Sequence, residues 1–245
     1  MIARLDIKND HLIKGIHLEG LRRLGDPEIF SKKYYAEGID ELIYMDAVAS
    51  LYGRNSLFHM IKKVSKEVFI PLTAGGGIRT LDDAYEVLRS GADKIAINTA
   101  AIKNPQFLKK LSNRFGQQCV VLSIEAKRKS NSWEAYIDNG REHTGLDVLD
   151  WVQQAASIGI GEVLLTSVDQ EGTLKGYDFD LVKKVSNCVN VPVMASGGYG
   201  CVEDSSNVIL KAQADAVVIA HHLHYEKSSI KEVKSYLKSK GLDIR

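Results

Sequence analysis

Short apolar runs alternate with longer amphipathic stretches along the whole chain. The runs cover residues 2–7, 41–45, 70–73, 94–97, 119–124, 162–166, 191–195 and 216–220. Near-continuous apolar character over about five residues is the mark of a parallel strand covered on both faces. Helix-period patterns lie between the runs, near 27–37, 55–68, 80–90, 104–115, 147–158, 178–188 and 202–212, with a last one at 228–240. Thr80 and the Asn104-Pro105 pair mark helix starts, and Gly38, Gly91 and Gly159 mark helix ends. Eight β-then-α units in 245 residues predict an α/β fold, one closed (β/α)8 barrel over 1–245, with no linker and no second domain.

The chain also repeats itself. Ile70-Pro71-Leu72-Thr73-Ala74-Gly75-Gly76-Gly77-Ile78 is answered 121 residues on (191 against 70) by Val191-Pro192-Val193-Met194-Ala195-Ser196-Gly197-Gly198-Tyr199. Glu41 and Glu162 share that offset, and Leu5-Asp6-Ile7-Lys8 is answered by Ile124-Glu125-Ala126-Lys127. So long a period reads as a duplication, two half-barrels of about 1–118 and 119–245, and not as a solenoid. The repeat also points to a ligand. Glycines let a backbone approach a phosphate closely, and the loops after the seventh and eighth barrel strands are a common phosphate site. Gly76 and Gly77 with Asn98 and Thr99 form one candidate grip. Ser196, Gly197 and Gly198, with Thr166 nearby, form the other. Two grips on opposite sides suit a small molecule with a phosphate at each end. Taken singly, either glycine set serves equally well as a tight strand-to-helix turn.

Composition narrows the class. Lys and Arg number 32 against 31 Asp and Glu, so no basic surplus points to nucleic acid. No apolar run approaches the roughly 18 residues that cross a membrane, and the first residues lack the blocks of a signal peptide. Three cysteines, Cys119, Cys188 and Cys201, are an odd number without metal-ligand spacing, and a cytoplasmic protein is expected.

Acidic residues fall where barrel chemistry takes place, at the C-terminal strand ends. Asp6 and Glu125 end the first and fifth runs, across the barrel from each other. They are read as a general acid and a general base acting on opposite sides of one substrate. Strand alternation also places Lys8 and Lys127 on the same faces, where simple ion pairing with Asp6 and Glu125 is the competing explanation. Asp46, Asp169 and Glu171 add carboxylates at the ends of the second and sixth runs.

These pieces together resemble the cyclase subunit of imidazole glycerol phosphate synthase. The likeness rests on Leu5-Asp6-Ile7-Lys8, Lys14-Gly15, Gly25-Asp26-Pro27, Gly75-Gly76-Gly77-Ile78, Gly91-Ala92-Asp93-Lys94, Ile97-Asn98-Thr99-Ala100-Ala101, Ala126-Lys127-Arg128, Leu164-Leu165-Thr166-Ser167, Gly172-Thr173 and Ala195-Ser196-Gly197-Gly198, spread over nearly every unit. The resemblance implies a cyclase/lyase of histidine biosynthesis. Ammonia from a partner glutaminase, in a heterodimer, crosses the barrel and attacks a bis-phosphorylated ribulosyl aminoimidazole carboxamide ribonucleotide. Asp6 matches one catalytic acid of the family and Lys14 a substrate-positioning lysine; no cofactor and no metal are implied. Glu125 departs from the family's Asp, and one methylene moves a carboxylate by about 1 Å, enough to cost about a hundredfold in rate. The loop Asp169-Gln170-Glu171-Gly172 departs from Asp-Arg-Asp-Gly, and His221, with His222 and His224 near it, replaces a small Ser. These three histidines are expected to be able to contact a phosphate.

The opposite barrel end carries Glu41, Lys94 and Glu162 at the starts of the second, fourth and sixth runs, with Ala216 in the equivalent place on the eighth. In the family a similar charged layer gates ammonia and includes an Arg before the first strand, which would fall before Met1 here. Glu41, Lys94 and Glu162 are therefore read as an ammonia entrance with a looser gate; a closed ion-pair plug is the alternative. No nucleophile elbow or Cys–His pair suggests a glutaminase within the chain, so a partner is expected on that face near Asp93. Two other functions compete: an ammonia-channelling paralogue serving a sugar-amidating system for surface polysaccharide, and a different barrel isomerase using the same acids.

Overall fold

The computed structural model describes residues 1–49 and 57–245. Among the described residues twelve strands follow in chain order: β1 (Ile2–Lys8), β2 (His11–Ile16), β3 (Glu19–Gly25), β4 (Glu41–Asp46), β5 (Leu72–Gly75), β6 (Lys94–Ile97), β7 (Val120–Lys129), β8 (Ser132–Ile137), β9 (Glu142–Asp147), β10 (Glu162–Ser167), β11 (Val193–Ser196) and β12 (Ala216–Ile219). Eight of them, β1, β4, β5, β6, β7, β10, β11 and β12, are parallel and close on themselves as a (β/α)8 barrel, with β7 paired to β10 and β12 paired to β1. Successive residues of a strand point to opposite faces, so each strand feeds two cores. Outward residues pack under the helices. Inward ones, Ile2, Ile43, Met45, Ala96, Val121, Leu164, Met194 and Val218, form a separate cluster on the barrel axis.

The remaining strands were not anticipated from the sequence. β2 and β3 form an antiparallel extension of β1, and β8 and β9 form the same extension of β7. β3 is largely exposed and has no apolar face, which is why hydrophobic patterning passes over it. The register places Asp6 opposite Ile13 and Glu125 opposite Tyr136, so each hairpin rises beside a carboxylate at the mouth of the barrel.

The expected runs at 70–73 and 191–195 begin two residues too early. Pro71 and Pro192 lack an N–H to give a ladder, and act only through carbonyls that accept from Leu42 and Val163. In both places an aspartate holds the first strand amide: Leu72 donates to Asp93 and Val193 to Asp215, each at 2.8 Å. Helix starts are equally local. Asp26 and Asp147 cap the helices Pro27–Ala36 and Val148–Ile158, and Thr80 with Asp83 forms a capping box on Leu81–Arg89. The helix expected over 55–68 is Leu57–Val64, with residues 55 and 56 outside the described residues.

Removing one aspartate strands a backbone donor at the entry of a barrel strand. Asp215→Ala is expected to lower unfolding stability by about 1–3 kcal/mol, read as a reduced denaturant midpoint at unchanged slope; an unmoved midpoint would show that solvent satisfies the Val193 amide.

Candidate active site

Alternation along β1 puts Ile2, Arg4 and Asp6 on the axial face, at successively higher levels of the barrel. Arg4 is buried, 3% exposed, and its guanidinium reaches across the interior. Nε donates to Asp6 Oδ1 at 2.8 Å, and Nη1 donates to Thr166 Oγ1 at 2.9 Å and to Ser196 Oγ at 3.5 Å. From β2, the Lys14 ammonium lies 3.9 Å from the other oxygen of Asp6 and is paired closely with Glu171, which follows β10. Both Lys14 and Glu171 are buried. Burial alone would raise the pKa of Asp6, but Arg4 and Lys14 outweigh it and hold the carboxyl below its ordinary range. Burial draws the Lys14 ammonium down to about 8 against the pull of Asp6.

Glu125 has a different setting. Its Oε2 accepts from Asn98 Nδ2 at 2.9 Å and from the Gly140 amide, in the β8–β9 turn, at 2.8 Å. Both donors are neutral. Burial lifts its pKa to about 7, only partly opposed by Arg4 and the Gly140 N–H and reinforced by Asp6 and Asp138. Two buried carboxylates at one end of the barrel thus differ in protonation near neutral pH.

A cleft lies on each side of this pair. The first, about 330 Å³, is lined by Asp46, Gly76, Gly77, Asn98, Thr99, Lys103 and Glu125. The second is about 20 Å³ and is lined by Glu171, Gly172, Ser196, Gly197, Gly198, Tyr199 and His221. The glycines are conformationally required. Gly76 has φ +97°, and a Cβ there would stand 2.4 Å from the Asp46 carbonyl oxygen; Gly197 has φ +93°, with the Ser167 carbonyl oxygen 2.6 Å from a Cβ. The same turn is built twice.

At the other end of the barrel Lys94 bridges Glu41, at 3.1 Å, and Glu162, at 2.7 Å. The three side chains remain partly exposed. Burial would depress the Lys94 ammonium, but the two glutamates together raise it.

Most of the sequence-derived residues gather into two clefts, a carboxylate pair and a charged layer; Lys14 and Thr166 line neither cleft, Lys14 pairing with Glu171 and Asp6 and Thr166 accepting from Arg4. Other residues take partners that the sequence did not indicate. Lys8 and Lys127 do not pair with the acids: Asp6 is met by Arg4 and Lys14, while Lys127 stacks its ammonium 4.5 Å from the Tyr136 ring centre. Asp169 turns to the exposed rim, where it accepts from the Arg128 amide at 2.6 Å and lines neither cleft. Asp46 walls the first cleft but spends Oδ1 on the amides of Val48 and Ala49. His221 lines the second cleft and burial lowers its pKa to about 4, so it stands there uncharged. His224 turns away to bond Tyr34 at 2.7 Å. Arg4 and Gly140 were missed. Arg4 had a signal, since alternation sets it on the same face as Asp6, whereas Gly140 depends on a hairpin that left none.

The chain is similar to known proteins over most of its length. Residues 1–229 match the family model described as "Histidine biosynthesis protein". The imidazole glycerol phosphate synthase subunit HisF of Legionella pneumophila is 62% identical over 205 residues, covering 83% of this chain and 97% of that protein. HisF subunits from Dehalococcoides mccartyi and Natranaerobius thermophilus are 46% and 42% identical over the whole chain, covering 97% and 98% of their own lengths.

The raised pKa of Glu125 makes stability pH-dependent. The fold favours its protonated form, so this contribution is complete below the unfolded carboxyl pKa and is lost as pH rises through about 7. The full loss is on the order of 3 kcal/mol. Melting temperatures measured between about pH 5 and pH 8 should fall with pH more steeply in the parent than in Glu125→Gln; parallel curves would show that Glu125 is already ionised in the folded protein.

Proposed function

The chain belongs to the histidine biosynthesis protein family and is an enzyme of the HisF cyclase/lyase type; on that premise we propose that it closes the ring of imidazole glycerol phosphate with ammonia from a separate glutaminase subunit. The observation that carries this reading is the pair of buried carboxylates, Asp6 and Glu125, set between two glycine-walled clefts at the same barrel end. In this reading a bis-phosphorylated ribulosyl substrate lies across the barrel mouth. One phosphate rests against Gly76, Gly77, Asn98 and Thr99, and the other against Ser196, Gly197, Gly198 and His221. Asp46 stands beside the first grip and Glu171 and Gly172 beside the second, with Lys14 and Thr166 in the polar network around Asp6 and Arg4. Asp6 and Glu125 then exchange protons with opposite sides of the reacting centre, an effect typically worth about 10²–10⁴-fold in rate for each group.

Ammonia enters from the far end, through the layer of Glu41, Lys94 and Glu162. A salt-bridged layer is permeable to a small neutral molecule only when it opens, and partial exposure leaves Lys94 able to swing. The partner docks over that layer, by the exposed rim near Asp93.

One observation favours a second reading. The second cleft is far smaller than the first and carries the Glu171 carboxylate, a poor neighbour for a phosphate unless Lys14 stays paired with it. A paralogue that supplies ammonia to another acceptor, such as a sugar-amidating enzyme of surface polysaccharide synthesis, would tolerate a reduced grip of this kind.

Turnover of the ribulosyl substrate by the purified chain with ammonium salt decides between them. Activity that drops about a hundredfold or more in both Asp6→Asn and Glu125→Gln supports the cyclase; bound substrate without turnover supports the paralogue. With the glutaminase present, Lys94→Ala should keep ammonium-driven turnover and lose part of the glutamine-driven rate. Unchanged coupling would remove the gate from the account.

A further inference from the structure

Arg4 is the one large side chain in its layer of the barrel interior. Alternation and register place it level with Gly75 on β5, Ser123 on β7 and Ser196 on β11. Three small residues leave room for one long side chain, and the guanidinium uses that room to reach Thr166 and Ser196 on the far wall while holding Asp6. A buried guanidinium is costly unless each partner is placed to receive it, so this layer is built around it.

The groups facing the two carboxylates are unequal. Asp6 meets Arg4 on its own strand and Lys14 from β2; His224, in the short helix His221–His224, acts on it only at longer range, and burial lowers the pKa of His224 to about 3, so it is uncharged. Glu125 meets Asn98 after β6 and the Gly140 amide after β8, with Asp6 and Asp138 as like charges and Arg4 acting only at longer range. No Lys or Arg among the described residues is paired with Glu125.

We propose that Arg4 is a positioning residue that decides which of the two carboxylates holds the proton: it fixes Asp6 as the ionised partner and leaves Glu125 protonated. On the reading proposed above, this assigns the chemistry. Asp6 takes a proton from the attacking nitrogen. As the carbon–nitrogen bond forms and the carbonyl π bond breaks, Glu125 gives its proton to the oxygen, which stays on carbon as the hydroxyl of a neutral carbinolamine, with Asp6 left protonated and Glu125 ionised. The direction of proton flow is then set by a residue that need not touch substrate.

The test is a pH titration of the protein carrying ¹³C-labelled carboxyl groups, with Asp6 and Glu125 identified by their loss in Asp6→Asn and Glu125→Gln. In the parent, Glu125 should titrate near neutrality and Asp6 well into the acid range. In Arg4→Gln the Asp6 titration should rise by about one pH unit or more, and Arg4→Lys, which keeps a cation and guards against loss of folding in the first variant, should restore most of the shift. An Asp6 titration unmoved in Arg4→Gln, or a parent in which Asp6 protonates before Glu125, overturns the proposal. The titration needs no turnover, so absence of cyclase activity would count against the reaction alone. Where turnover is found, the acid limb of the kcat/KM profile should move upward with Asp6 in Arg4→Gln, a displacement that simple loss of packing would not produce.

Discussion

Four charges buried beneath the barrel mouth, Arg4, Asp6, Lys14 and Glu171, balance to zero. Removing one of them would leave a partner charge without compensation in a dry interior, a situation that commonly costs about 3–5 kcal/mol. The four residues tie together elements far apart in the chain: Arg4 and Asp6 on β1, Lys14 on the first hairpin, and Glu171 beyond β10. Thr166 and Ser196 accept from the same guanidinium. Backbone contact follows the same line, with the His17 amide donating to the Glu171 carbonyl at 2.8 Å. The hairpin that patterning overlooked is thus held over the barrel mouth by the ions that also set the state of Asp6.

Glu125 lies outside this balance. It replaces its missing cation with neutral donors, which satisfy an oxygen without stabilising a full charge to the same degree. The two halves of the barrel repeat their turns, caps and strand-entry aspartates, yet their buried acids have been given opposite surroundings. That asymmetry follows from residues at matching heights, since β1 carries Arg4 where β7 carries Ser123.

Most of the barrel was legible in the sequence because a strand covered on both faces must be apolar throughout, and the eight runs stand out against amphipathic helices. The glycine turns were legible for a similar reason: positive φ beside a neighbouring carbonyl leaves no room for a Cβ at Gly76 or Gly197. The hairpins were not, because β3 presents polar residues to solvent and gains its pairing from β2 alone. Arg4 went unread because it sits within a run that otherwise signals a buried strand. The alternation that brought Lys8 into consideration with Asp6 applies equally two residues in the other direction. Asp169 was placed correctly at a strand end, but the free amide of Arg128 draws its carboxylate to the rim, a local competition that spacing does not reveal.

The unequal clefts bear on the central claim that one ligand is held at both ends across Asp6 and Glu125. The ³¹P spectrum of the ribulosyl substrate, titrated with the protein in the absence of ammonia, reports each end separately. If one ligand spans both clefts, both phosphorus resonances shift and broaden together, and Gly197→Ala suppresses the change at one of them only. A resonance that keeps its free position at saturation would contradict that claim, and would mean that the cleft lined by Glu171 and His221 no longer holds a phosphate.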